Sequence, residues 1–403
     1  MTAATTAAYR DTNVLRWAAA YTASVTGDIV YFLALSWAVT RTAGPAQAGA
    51  VLAAGAVPRA VLMLGGGVVA DRFGARRVVV VSDAVRCAVI LGVAVAVYAA
   101  GAELWLLYVL AVVFGTVDAL FMPAVGALPP QIAPHDQLTR VQGMRALAVR
   151  LSNAVGPLTA GVVLGIGGPS AAFAGAGLLF GGSLVLLLAV RIQPLPAREG
   201  PRASAGEDLR DGLRYLRRER RLTRLVIVIG LGEMCFSGPV AAGLVMLTDE
   251  RHWGAGVLAA ILAAFSVGGA VSALALTAAD RIPYAGATLT TGLVVTAAVT
   301  AAIGRIPSPG TAVALGALMG LASGAAMVIG NALLQKETDP HYLGRVSSVT
   351  GLCTLGLSPL LFPLAGLVAA TWGAAAFFAG CGVVCLAAAG VGLSVRTLRT
   401  ARL

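Results

Sequence analysis

Eight charged residues of this 403-residue chain fall well inside otherwise apolar stretches, away from their ends. The acids are Asp28, Asp118 and Glu233, with Asp83 nearer the edge of its stretch, and the bases are Arg59, Arg86, Arg145 and Arg150. A charge in a hydrocarbon environment costs about 3 kcal/mol, so each one needs a reason to be there. An acid beside an arginine keeps its charge, whereas one in an apolar cavity gives it up by taking a proton. Alternating between the two settings binds a proton on one side of a barrier and releases it on the other. Asp28 is the first candidate for that role and Glu233 the second. Counting along straight helices at about 1.5 Å per residue places Asp28 and Arg59 at similar mid-depth. Arg86 and Asp118 share a shallower level. The expectation is two pairs: Asp28 with Arg59 at a substrate cavity, and Arg86 with Asp118 as a structural or gating pair. Arg150 lies about 12 residues into its stretch with no local partner, which suits contact with substrate or with Glu233. Arg145 is placed to snorkel to the nearer surface.

The rest of the chain offers no catalytic constellation. There is no nucleophile with an adjacent base, no metal-ligand cluster, and no G-x-x-x-x-G-K-[ST] loop to hold ATP phosphates, so neither an enzyme nor an ATP-driven pump is expected. No cofactor is implied. The five cysteines sit in apolar runs and suggest no disulfide framework. His252, beside Asp249 and Glu250, reads as a solvated loop residue.

The composition explains what must position these charges. Hydrophobic residues make up 58% of the chain and charged residues only 12%, with a mean hydropathy of +0.86. Soluble domains carry about twice that share of charge. A membrane helix uses about 20 residues, so twelve account for nearly all the apolar content. Apolar stretches fall at 14–40, 46–70, 77–99, 104–127, 138–165, 171–192, 222–247, 255–278, 285–304, 311–334, 345–370 and 372–395; they are numbered here as spans one to twelve. The polar opening residues lack a cleavage site, and no signal peptide is expected.

The net charge of +11 comes from 29 basic residues, of which Lys336 is the one lysine. With a cytoplasmic amino terminus, the inside loops take Arg72, Arg76, Arg77, the run from Arg191 to Arg224, and the carboxy-terminal arginines. Only Arg41, Arg251 and Arg305 fall outside, which fixes both termini on the cytoplasmic side. This charge belongs to anionic inner-leaflet lipid rather than nucleic acid. The loop 193–221 divides the spans six and six, giving an N-terminal half 1–192 and a C-terminal half 222–403. Within it Leu209, Leu213, Tyr215 and Leu216 share a helical face ringed by arginines, an amphipathic helix expected to lie on the leaflet. The halves repeat: Ala70-Asp71-Arg72 returns as Ala279-Asp280-Arg281, and Pro134-His135 as Pro340-His341. Parallel six-helix repeats around a central site are a transporter architecture.

Residues 67–77 read GVVADRFGARR between spans two and three. This motif, Gly67, Asp71, Arg72, Gly74, Arg76 and Arg77, resembles the signature loop of the major facilitator superfamily, with Asp280 and Arg281 as its degenerate second copy. The resemblance implies that Asp71 caps span eleven and latches a cytoplasmic gate. Gly27-Asp28, Val57-Pro58-Arg59, Ser82-Asp83 with Arg86, GTVDALFMP (115–123) and Gly156-Pro157 are similar to the third, macrolide- and siderophore-exporter-like subgroup of proton-coupled drug antiporters. Two departures stand out. The glycine-proline run of span five survives only as GPLTAG, and Asp118 stands in span four where better-known antiporters carry an arginine.

The expectation is therefore an all-α membrane protein of twelve transmembrane helices in two pseudo-symmetric bundles. It would act as a monomeric, proton-coupled exporter of hydrophobic or cationic small molecules in the cytoplasmic membrane. Two alternatives stay open: an importer of an anionic or nutrient substrate, and a lipid-handling membrane protein. Asn153, Asn331, Gln335 and Ser266 could line the pathway, with Tyr31, Phe114, Phe121 and Phe236 among candidates for an apolar pocket.

Overall fold

The computed structural model describes residues 11–133, 137–192, 213–234, 239–277, 284–339, 342, 346, 349–350 and 358–394. For side chains it describes the same residues less 63–68, 71, 138, 139, 142, 234, 239–241, 277 and 358–360. Among the described residues every regular element is a helix. Eight helices are long and apolar enough to cross a membrane. Two of them, Thr12–Leu62 and Gly143–Leu188, are long enough for two crossings each. Arg220–Met234 with Pro239–Glu250 forms span seven, and Ser358–Trp372 forms span eleven. Among the described residues each of the twelve spans of the sequence reading is represented by a helix, span eleven by its second half.

The two double helices bend where the chemistry says they should. Gly44 has φ +83° and Gly168 φ +64°, and each is followed by a proline, Pro45 or Pro169. Glycine reaches the left-handed region without a Cβ clash, and proline suits a first helical turn because its missing N–H has no acceptor there. Span one starts with equal economy: the Asp11 carboxylate accepts from Asn13 N at 2.7 Å and satisfies one orphan donor.

By packing, the chain forms two compact units, 1–42 with 54–201 and 43–53 with 202–403. In the first, spans two and four cross with their backbones in contact: a Cβ on Gly115 would lie 1.8 Å from Gly55 O. In the second, spans eight and ten repeat this crossing, where a Cβ on Gly320 would lie 1.9 Å from Phe265 O. Gly115 and Gly320 are 205 residues apart, close to the offsets of 206 and 209 that separate the sequence repeats. Where lipid supplies no hydrophobic drive between helices, such close backbone approach supplies the dispersion energy. Each unit also has its own apolar core. One gathers Trp17, Val79, Phe121, Leu128 and Leu187; the other gathers Leu225, Ile229, Leu289, Ile329 and Leu333. Outside, Tyr98, Ile166, Leu178 and Leu274 are each more than two-thirds exposed, as a lipid-facing surface allows.

The linker helix packs in part on its own unit. Residues 213–218 are helical, and two residues of the apolar face, Tyr215 and Leu216, meet protein. Leu216 is buried with Leu222 and Leu225, and Tyr215 stacks flat on Tyr342 with ring centroids 4.2 Å apart. Tyr215 Oη accepts from Asp339 N at 3.4 Å, and Arg221 pairs with Glu337 at 3.0 Å. Leucine and tyrosine bury apolar area against protein here, a better return than a headgroup region offers. Only Leu213 and the arginines at 214, 217 and 218 stay exposed; Leu209 lies outside the described residues.

Candidate functional site

Span three carries Asp83 and Arg86 one turn apart on one face, and both are fully buried. Arg86 Nη2 donates to Asp83 Oδ1 at 2.9 Å. Its Nη1 donates to Asp28 Oδ1 of span one at 2.9 Å and to Asp118 Oδ1 of span four at 3.3 Å. Asp83 also accepts from Ser24 Oγ at 3.1 Å and Ser183 Oγ at 2.5 Å. The guanidinium carbon lies over the rings of Phe121 (3.9 Å) and Phe180 (5.0 Å). Arginine fits this place because its rigid fork serves several carboxylates while its faces stack on aromatics. Arg59 of span two reaches Asp118 Oδ2 at 3.5 Å.

The two separate pairs read from the sequence are thus one cluster. Arg59 faces Asp118, and the partner of Asp28 is Arg86. The Arg86–Asp118 contact is present as one edge of a larger network that also takes in Asp83. Sequence reading missed Ser24, Ser183 and Phe180 at this site. Ser24 sits one turn before Asp28 and could have been found by helical spacing. Nothing in the sequence marks Ser183 or Phe180.

Access is uneven across the acids. The side chain of Asp83 is 0% exposed, that of Asp118 17% and that of Asp28 29%. Asp28 holds one bond among the described residues, through one oxygen, whereas Asp83 accepts three. Beside Asp28, Tyr31 stacks on Phe114 at 3.9 Å and Phe114 meets Phe180 edge-on at 5.7 Å, making an aromatic wall. An open carboxylate next to aromatic faces is suited to a proton or to an organic cation.

A second feature of the same unit is a cavity of about 460 Å³ lined by Tyr21, Arg145, Ala146, Val149, Arg150 and Asn153. Arg145 does not simply snorkel. Its Nε donates to Tyr21 Oη at 3.4 Å and its guanidinium lies 5.4 Å over the Tyr21 ring, which in turn stacks on Trp17. In the other unit, Glu233 is half-buried in span seven, next to Gly232, which lines a small apolar cavity with Leu289 and Leu293. Asn331 is half-buried, Gln335 is exposed, and Ser266 donates within its own helix to Leu262 O.

At the loop motif, Gly74 has φ +85° and starts span three, and Arg76 Nη2 donates to Leu188 O at 2.9 Å, tying span three to span six. Arg72 and Arg77 are exposed. Gly67 and the Asp71 carboxylate lie outside the described side chains. Asp280, Arg281 and Phe236 lie outside the described residues, as do both proline-histidine pairs. On the loop after span seven, Glu250 accepts from Ala374 N at 2.9 Å and caps span twelve, while His252 is exposed.

Comparison with known proteins agrees with this architecture. The chain is 27% identical over 350 residues to the multidrug efflux pump Tap of Mycobacterium tuberculosis, covering 84% of this chain and 83% of the pump. It is 23% identical over 320 residues to the enterobactin exporter EntS of Escherichia coli, 76% of each chain. Among solved structures, the nucleoside transporter NupG superposes with a TM-score of 0.69 at 12% identity, covering 95% of this chain and 97% of NupG. An inward-facing bacterial homologue of the lysosomal transporter Spinster gives 0.65 at 14%, covering 97% and 96%. The sequence profile of the Major Facilitator Superfamily matches residues 17–354. With twelve spans in two six-helix bundles and that match over most of its length, the chain is a multi-pass integral membrane transporter of small molecules and belongs to the Major Facilitator Superfamily.

Proposed function

We propose that the protein exports hydrophobic, cationic small molecules from the cell in exchange for protons. The observation that carries this reading is the cluster of three carboxylates around Arg86, with Arg59 on Asp118. Three ionised acids against two guanidiniums leave one net negative charge, and one proton cancels it. A cationic substrate cancels it equally well. Proton and substrate therefore compete for the same charge, which is the logic of antiport. Asp28 is the member that exchanges its partner, being the most open of the three and held by a single hydrogen bond. Taking a proton weakens that one charge-assisted bond, whereas Asp83 is held by three donors, Arg86, Ser24 and Ser183. Tyr31 and Phe114 provide the surface for an apolar body. Glu233 is a second proton-binding position in the other half.

The cycle is alternating access, with halves 1–192 and 222–403 rocking about a central cavity and the motif from Gly67 to Arg77 gating the cytoplasmic side. The protein works as a monomer in the cytoplasmic membrane with both termini inside. The exposed arginines of the linker helix lie near anionic lipid. The names of the relatives, an efflux pump and a siderophore exporter, support the outward direction. The membrane potential contributes about 2.3 kcal/mol per charge per 100 mV, so one proton sustains roughly fifty-fold accumulation.

The test is growth of an efflux-deficient bacterium on hydrophobic antibiotics and cationic dyes. Empty vector, the wild type and Asp28→Asn are compared at matched expression. Resistance given by the wild type and lost in the variant is expected. Equal sensitivity of all three strains would defeat the export reading. Resistance that survives Asp28→Asn would move the proton site to Glu233.

A further inference from the structure

The acid cluster is not the one charged feature of the first unit. The cavity of about 460 Å³ beside span five has the opposite character. Among the described residues that line it, two are arginines, Arg145 and Arg150, and none is a carboxylate. Arg145 is fixed in place from below, by its hydrogen bond to Tyr21 Oη and by the stack of its guanidinium on Tyr21 and of Tyr21 on Trp17. That support uses Nε and one face, so the terminal nitrogens remain for a ligand. Arg150 stands about 12 residues into the span, roughly 18 Å along it, exposed and in no ion pair among the described residues. A cation so deep costs about 3 kcal/mol unless it meets water or a counter-charge. Two guanidiniums with no carboxylate at hand supply a place for an anion, since the arginine fork matches carboxylate and phosphate oxygens pairwise.

We propose that this cavity is a second substrate subsite, one that receives the anionic group, a carboxylate or a phosphate, of a transported molecule. Its acidic counterpart around Asp28 takes cationic groups. The unit then offers a base-lined and an acid-lined contact, which suits zwitterionic and acidic solutes as well as cations. The inference rests on the chain being a transporter but not on export or on proton coupling.

Full-length protein in phosphatidylcholine nanodiscs, with no gradient, is titrated calorimetrically with naphthoate and with the uncharged naphthylmethanol. Naphthoate should bind about tenfold or more tightly than the alcohol. Arg150→Gln should remove that preference, Arg150→Lys should restore part of it, and an unchanged melting temperature should report intact folding. Naphthoate binding no tighter than the alcohol, or a preference that survives Arg145→Gln/Arg150→Gln, overturns the proposal. The same titration with phosphatidylglycerol added distinguishes a solute from a lipid headgroup. Loss of naphthoate binding to the wild type in those discs would assign the cavity to lipid and overturn the solute reading; retained preference supports it. Because no transport is read, failure here and failure of the resistance panel are separate results.

Discussion

Arg86 and Asp28 are joined by a single 2.9 Å hydrogen bond across 58 residues of sequence, and the same guanidinium holds Asp83 at 2.9 Å through its other terminal nitrogen. One residue therefore links an accessible acid to a fully buried one. A change in the charge of Asp28 alters the balance on Arg86, and Arg86 carries it to Asp83, Ser24 and Ser183.

This arrangement predicts a separation of coupling from movement. Asp28→Asn keeps the shape of the carboxylate but cannot cycle a proton. In proteoliposomes, gradient-driven accumulation of a cationic dye should fall at least tenfold, while exchange without a gradient persists. Loss of both activities to the same degree would make Asp28 a structural residue instead.

Removing the hub should be far worse than removing a spoke. Among the described residues, Arg86→Met leaves three carboxylates in one site with Arg59 as their one cationic partner. Breaking a buried ion pair from one side costs about 3–5 kcal/mol. A large drop in melting temperature in detergent is expected, with partial recovery on adding Asp83→Asn. Arg86→Lys should recover little, because a single ammonium cannot reach Asp28 and Asp83 together and lie over the rings of Phe121 and Phe180. Full stability of Arg86→Lys would show that the fork and the ring stack are dispensable.

The linker helix gives a coupling that is local to one unit. Tyr215 and Tyr342 stack within 3° of parallel. A double-mutant cycle with Tyr215→Ala and Tyr342→Ala should return a coupling of about 0.5–1.5 kcal/mol in thermal stability. Arg221→Gln, at a partly exposed pair with Glu337, should cost no more than about 1 kcal/mol. Additive effects of the two tyrosine changes would mean that the ring contact contributes nothing.

Much of this was legible in the residues. Gly44-Pro45 and Gly168-Pro169 mark span ends through backbone chemistry that needs no tertiary context, and the charged residues in apolar runs name the candidates. Their partners were not legible. Counting along straight helices put Asp28 and Arg86 about five residues apart in depth, near 7.5 Å. An arginine side chain can span most of that distance on its own, so depth alone cannot decide which acid it meets. Arg86 also lies over Phe121 of span four and Phe180 of span six, and residue spacing does not encode that placement. The linker is a related case. An amphipathic pattern reports that one face wants burial, and for Tyr215 and Leu216 it is Tyr342 and Leu225 that provide it.

The repeated helix crossing yields the sharpest steric test. A Cβ at Gly115 would fall 1.8 Å from Gly55 O, and one at Gly320 would fall 1.9 Å from Phe265 O. The obstacle in both cases is backbone, which cannot rotate away as a side chain would, so the two spans must part. Gly115→Ala and Gly320→Ala should each cost about 1–3 kcal/mol, the usual penalty for overpacking. Gly126 has nothing within 4 Å of the same virtual atom, so Gly126→Ala should leave the melting temperature unchanged or raise it slightly. Because the two crossings lie in different units, the double variant should show the sum of the single losses within about 0.5 kcal/mol. A Gly115→Ala protein as stable as Gly126→Ala would mean that spans two and four do not touch through their backbones.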